Sequence, residues 1–205
     1  HHLRYDAAGV CVLITPWNSP MMLTTWKLGP ALAAGNTVVV KPPEWAPLTC
    51  SLLADIAAAA GIPPGVLNVV QGLGPTTGAA LVADPRVARV SFTGSVPTAK
   101  AIAQATGRNL VPASFELGGK SALIVLEDAD LELAAATAAL QYRNAGQVCL
   151  AGTRLLVHEA VVDDFLALMR QAVRQLRVGD PREPATEIGP LIHPRQHDKV
   201  SAFVD

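Results

Sequence analysis

Cysteine is scarce in this chain: Cys11, Cys50 and Cys149 are the only three in 205 residues. An odd number, widely spaced, argues against a disulfide framework and makes a reducing compartment, the cytoplasm, the expected location. Net charge is equally sparse. At −1, it gives no electrostatic case for nucleic acid or an acidic membrane as partner. Half of the residues are hydrophobic, yet charges or Gly/Pro breaks interrupt every apolar run before the roughly 20 residues a membrane span needs. No signal peptide, repeat, low-complexity segment or flexible linker is visible. The first residue is not Met, and His1-His2 reads as the stub of a purification tag.

What is present is a regular alternation. Gly9 to Thr15 is a short apolar run ending at Pro16, which predicts a buried strand opening into a loop. A helix follows over 21–34, stopped by Gly35-Asn36. The β-branched run Thr37 to Lys41 predicts a second buried strand, ended by Pro42-Pro43. Helices are expected over 47–60, 76–83 and 97–105, with strands over 66–70, 88–92 and 111–116. Short strands alternating with helices define an α/β fold: a Rossmann-like parallel sheet with right-handed crossovers and helices on both faces. Such sheets bind ligands outside the strand carboxyl ends. Those ends carry PWN, KPPE, QGLGP, FTGS and ELGGK.

Several of these loops suit chemistry. At Thr93-Gly94-Ser95 a strand breaks into a helix near Pro97, so backbone N–H groups and the helix dipole can face a phosphate; the plainer reading is a strand-to-helix turn. Lys41 and Glu44 project from one strand end, either as a ribose-binding pair that disfavours a 2′-phosphate or as a solvated ion pair. Glu116 precedes the glycine turn Leu117-Gly118-Gly119, where partial desolvation would raise its pKa and suit a general base. Asn18 offers an amide N–H₂ to an oxyanion. Cys149 lies among Gly146, Ala151 and Gly152, where a carbonyl carbon could approach the sulfur; the alternative is a small buried hydrophobe, which is how Cys11 and Cys50 read.

PWN at 16–18, VVVKPPE at 38–44, FTGS at 92–95, FELGGK at 115–120 and GQVC at 146–149, in that order, resemble the aldehyde dehydrogenase superfamily. Asp128-Ala-Asp-Leu131 and Glu187-Ile-Gly-Pro-Leu191 extend the likeness along the chain. Within the superfamily, PWNSPMMLTTWKLGPALAAGNTVV is most similar to the semialdehyde dehydrogenases of aromatic catabolism, the 5-carboxymethyl-2-hydroxymuconate enzymes among them. The resemblance implies oxidation of an aldehyde to a carboxylic acid with NAD, or NADP. Cys149 would attack the aldehyde, Asn18 and the Cys149 N–H would hold the oxyanion, and Glu116 would activate water against the thioester.

It further implies that Lys41 and Glu44 hold the adenosine ribose, that Thr93, Gly94 and Ser95 meet the pyrophosphate, and that Leu117 and Gly118 lie near the nicotinamide. Thr15, Pro16, Trp17 and Gly72 complete the implied cofactor set, and Trp17 would also edge the substrate tunnel. Residues 3–119 would be the NAD-binding domain without its leading helices, and 120–205 the first part of a second α/β, catalytic domain. Ala99 stands where family members often have glycine, and Pro97 is uncommon at that helix start. The family is much longer than one average domain. The leading helices, a subunit-bridging β-arm and a later EIFGP motif are therefore expected to lie outside this sequence. The piece alone is expected to be a poor enzyme with exposed apolar surface, and the full-length protein a homodimer or homotetramer acting on a small-molecule aldehyde.

Other features have plainer readings. Glu127, Asp128 and Asp130 precede a helix expected over 131–145, so capping is preferred to metal binding. His193 and His197 have the spacing of a metal pair but lack a third ligand, and no metal is expected. Trp17, Trp26 and Trp45 read as packing residues, and Arg170, Arg174 and Arg177 as the solvated face of a helix over 161–177. A CoA-acylating relative and a non-catalytic descendant of the fold are the competing functions. Glu116 argues against the first, and the joint presence of Cys149, Glu116 and Asn18 against the second.

Overall fold

The computed structural model describes residues 2–204; His1 of the expected tag stub and Asp205 lie outside the described residues. The chain divides into two compact units, one ending at Leu117 and the other beginning at Gly118.

The first unit is built on five strands: β1 (Val10–Ile14), β2 (Thr37–Lys41), β3 (Leu67–Val69), β4 (Val87–Gly94) and β5 (Ala113–Leu117). All pair in parallel, in the order β3-β2-β1-β4-β5. Helices α1 (Pro20–Ala33), α2 (Leu48–Ala59), α3 (Ala79–Ala83) and α4 (Val96–Arg108) make the crossovers. Side chains alternate across the sheet, so β1 serves two cores. Cys11 and Leu13 pack with Val38, Val40 and Leu28 of α1, whereas Val12 and Ile14 pack with Val90, Phe92, Val82 of α3, and Ala99 and Ile102 of α4. Each fully buried valine contributes on the order of 1.5–3 kcal/mol.

Most expected elements appear within two or three residues of their predicted limits. The helix expected over 76–83 is instead a π turn, Gly74–Gly78, followed by the short α3. Gly72, at φ 142°, redirects the chain there, and the Gly74 N–H is bonded to Glu44 rather than left to a helix. Trp26 is 63% exposed on α1 and is not a core residue; it borders an open cavity beside the sheet instead of filling it.

The second unit pairs β6 (Ala122–Val125) with β7 (Arg154–Val157) in parallel and packs α5 (Leu131–Ala139) and α6 (Val162–Gln175) around Val125, Ala135, Ala138 and Phe165. A final helix, α7, spans Pro194–Val204. Asp130 caps α5 by accepting from Leu133 N at 3.0 Å, as the acidic cluster suggested. The helix expected over 131–145 ends at Ala139, however, and a 3₁₀ stretch leads into Asn144, Ala145 and Gly146, all at positive φ. Arg177 falls beyond α6 and pairs with Glu187 at 3.4 Å, so it is not part of a purely solvated face. Ile124, Leu126, Leu133, Leu150 and Leu156 are exposed, in keeping with the expected apolar surface.

Two glycines should respond oppositely to an added methyl group. At Gly94 a Cβ would lie 2.5 Å from Phe92 Cζ, whereas at Gly107 in α4 nothing lies within 4 Å. Gly94→Ala should lower stability by roughly 1–3 kcal/mol, and Gly107→Ala should raise it by about 0.5–1 kcal/mol. Urea denaturation of the two variants checks the opposite signs.

Candidate active site

All five strands of the first unit run the same way, so the loops after them meet at one edge of the sheet. Thr15, Pro16, Trp17 and Asn18 follow β1; Pro42, Pro43 and Glu44 follow β2; Gly72 follows β3; Ser95 follows β4. Glu116 and Leu117 end β5. α1 and α2 pack on one face and α3 and α4 on the other, so β1 and β4 are neighbours whose crossovers diverge. That divergence leaves a crevice between Thr15–Asn18 and Thr93–Ser95.

The best-defined feature at this edge is a charge pair. Lys41 is buried at the end of β2, and its Nζ lies 3.0 Å from Glu44 Oε1 and donates to Pro42 O at 3.0 Å. The same Oε1 accepts from Gly74 N at 2.5 Å. The solvated-pair alternative therefore fails for the lysine. Burial pushes the Glu44 carboxyl upward, but its own backbone N–H, the Lys41 ammonium and the Gly74 N–H outweigh this and hold it below the ordinary 4.5.

Thr15 and Thr93 are buried under the crevice. Thr15 Oγ1 accepts from Thr24 Oγ1 at 3.2 Å, and Thr24 in turn contacts Cys50 Sγ at 3.2 Å. Thr93 Oγ1 is buried without a hydrogen-bond partner, the one such side-chain atom found among the described residues. An unsatisfied buried hydroxyl costs about 1–3 kcal/mol, which a polar ligand at the crevice would relieve. Ser95 caps α4, accepting from Thr98 N at 3.4 Å. Pro97 has no N–H, so Val96 is the main open donor of that first turn. Ala99 is buried against the sheet.

These residues fit the dinucleotide that the motifs imply. A buried cation beside a carboxylate suits ribose hydroxyls. The orphaned Thr93 hydroxyl and the capped helix end suit a phosphate. The bare α-carbon of Gly94, crowded by Phe92, keeps that loop thin.

Glu116 is exposed rather than partly desolvated, which corrects the expectation from the glycine turn. β5 is the sheet edge, and on the α1 side Glu116 has the Lys27 ammonium nearby. Burial pushes the Lys27 pKa down, and the Glu116 charge draws it back up. Lys27 Nζ donates to Ser91 Oγ at 2.8 Å, within 3.1 Å of which lies Ser114 Oγ. This polar chain opens on a cavity of about 380 Å³ lined by Cys11, Leu13, Lys27, Arg89, Ser91 and Ser114. Apart from Lys27 of α1, those residues belong to β1, β4 and β5 short of their carboxyl ends, so the cavity lies on the sheet face and not at the carboxyl edge. Sequence reading missed both the Lys27 chain and Thr24; buried hydroxyls and a lysine inside an apolar helical run were the available signal.

Cys149 belongs to the second unit. It is half-buried, unlike the fully buried Cys11 and Cys50, and all three thiols are free. Its carbonyl oxygen lies where a Cβ on Gly119 would come within 2.9 Å. Gly118 has nothing within 4 Å of the equivalent position. Gly152 N donates to Gln141 Oε1 at 2.7 Å, tying down the loop that follows the thiol.

The first unit thus gathers polar loops at a switch point, and the second carries a half-buried thiol in a turn of small residues. The family model described as the aldehyde dehydrogenase family matches residues 1–205, and the chain belongs to that family. A betaine aldehyde dehydrogenase of Cereibacter sphaeroides is 47% identical over 201 residues, covering 98% of this chain and 41% of the relative. The crystal structure of HpcC from Thermus thermophilus superimposes with a TM-score of 0.92 at 47% identity, covering 97% of this chain and 39% of that one. An indole-3-acetaldehyde dehydrogenase solved with NAD+ gives a TM-score of 0.94 at 45% identity, covering 97% and 41%. The chain thus spans about two fifths of the length of such relatives.

The depressed Glu44 carboxyl sets a pH dependence. Because its folded-state pKa lies below 4.5, the link it makes stabilises fully above that value and is lost as pH falls through the folded value. Wild type should exceed Glu44→Gln in urea stability at neutral pH, and the difference should shrink on acidification.

Proposed function

We propose that this chain supplies the cofactor-binding unit and the thiol of an enzyme that oxidises an aldehyde or semialdehyde to a carboxylic acid with NAD. The observation that carries this reading is the state of the thiols: in a member of this family, Cys149 alone of the three lies off the core, in a turn of small residues. NAD supplies the hydride acceptor. Cys149 Sγ adds to the aldehyde carbon, and the resulting oxyanion is held by the Asn18 amide and the Cys149 N–H. Loss of hydride leaves a thioester, and Glu116 takes a proton from the water that releases the acid and regenerates the thiol. Lys41 and Glu44 hold the adenosine ribose; Glu44 disfavours a 2′-phosphate, which favours NAD over NADP. Thr93, Gly94 and Ser95 face the pyrophosphate, Thr15, Pro16, Trp17 and Gly72 border the cofactor, and Leu117 and Gly118 lie near the nicotinamide.

Residues up to 119 are the cofactor-binding domain in this reading and residues from 120 the start of the catalytic domain. A small aldehyde is the substrate, a homodimer or homotetramer the assembly, and a reducing compartment the setting that keeps Cys149 a thiol. Among the described residues no helix is long and apolar enough to cross a membrane. Betaine aldehyde, indole-3-acetaldehyde and aromatic-catabolic semialdehydes are the first substrates to try. CoA-acylating chemistry is the competing reading that Glu116 argues against; a product analysis with and without CoA separates the two.

The test is aldehyde-dependent NADH formation by the complete gene product. Cys149→Ala should abolish it, Asn18→Ala should lower kcat by roughly 10²–10³, and Glu116→Gln should let the thioester accumulate. Full turnover by Cys149→Ala would overturn the proposal. The 205-residue chain alone should turn over poorly.

A further inference from the structure

We infer that Gln147 is a positioning residue for Cys149, acting through a turn that the chain could not otherwise hold; this rests on the reading of Cys149 as the nucleophile. Asn144, Ala145 and Gly146 follow one another at φ 52°, 54° and 71°. Only the glycine adopts that region without cost, and Ala145 least readily of the other two. A run of three such residues persists only if its surroundings over-determine it. Gln147 supplies the clamp. Its backbone N–H donates to Asn144 O at 3.0 Å, and its side-chain Nε2 donates to the same oxygen at 2.9 Å. The Asn144 Nδ2 returns a bond to Gln147 O at 3.4 Å.

The other end of the Gln147 amide reaches across the unit. Its Oε1 accepts from Ile192 N at 3.1 Å, 45 residues away in sequence. One side chain therefore joins the left-handed turn on one side to the segment before α7 on the other, two residues ahead of the sulfur. Gly119 packs on the Cys149 carbonyl, and Gln141 holds Gly152 from the C-terminal side. The Cys149 backbone is thus fixed from both directions, and within this set it is the Gln147 side chain that bonds both the turn and a distant stretch of backbone. Without it the left-handed turn would relax and the Cys149 sulfur and N–H would lose their fixed direction, with the fold otherwise unchanged.

The test pairs Gln147→Met, which keeps the volume and removes every side-chain hydrogen bond, with Gln147→Ala. In the 205-residue chain, iodoacetamide alkylation is followed by peptide mass, which separates Cys149 from the buried Cys11 and Cys50. Both variants should change the Cys149 alkylation rate several-fold and speed hydrogen exchange at the Ile192 amide. In the complete gene product, kcat should fall roughly ten- to a hundred-fold, as for a reacting group misplaced by about 1 Å, with KM near wild type. A Gln147→Met protein with wild-type alkylation, Ile192 exchange and kcat would overturn the inference. Loss of thermal stability without change in those readouts would also overturn it, by assigning Gln147 a merely structural role. Turnover surviving in Cys149→Ser would instead defeat the functional reading and leave the Ile192 exchange result standing.

Discussion

The divergence of the crossovers at β1 and β4 is the constraint from which the rest follows. β1 sends α1 to one face and β4 sends α4 to the other, while the two strands stay hydrogen-bonded from Val10 to Ile14. No connecting segment can then close over the carboxyl ends between them. Buried strands supply the rigidity: Val12, Val38, Val40 and Val90 are fully buried and leave the sheet little freedom to flex. Lys41 and Thr93, polar groups that would be costly in that core, are buried where β2 and β4 end.

That edge is held by a few strong interactions and not by many weak ones. Lys41 is nearly inaccessible, and a buried ammonium survives only with good partners. Glu44 and Pro42 O provide them, and Glu44 also binds Gly74 N, which joins the loop after β2 to the loop after β3. Thr93 Oγ1 is left unsatisfied at the same edge. In the second unit the equivalent organising element is the left-handed turn before Cys149, held by the Gln147 side chain, while Gln141 holds Gly152 after the thiol.

Strands and helices were legible because they depend on local pattern: β-branched runs for β1 and β2, and Gly or Pro at nearly every stop. The buried Lys41–Glu44 pair was legible as a pairing, but its depth was not, since burial depends on how α2 and the loop after β3 pack above it. Glu116 was misjudged for the same reason. A glycine turn says nothing about whether the strand before it is an edge, and β5 is one. The helix expected to run to 145 failed because helix-forming residues continue past Ala139 as Leu140-Gln141, while the turn that follows is held by bonds from Gln147 and by the approach of Ile192, neither visible in a local window. Trp26 shows the limit of treating aromatics as core: on the same helix Leu23 and Leu28 are buried, whereas the tryptophan is exposed.

Cys149 as the covalent centre is the central claim, and the most direct measurement is peptide mapping of the acyl adduct. The complete gene product is mixed with an aldehyde and NAD, quenched in acid during turnover, and digested for mass spectrometry. An added acyl group on the peptide containing Cys149, dependent on NAD, is the predicted result. NADH formed with no acyl group on that peptide, or with the group on Cys11 or Cys50, would contradict it.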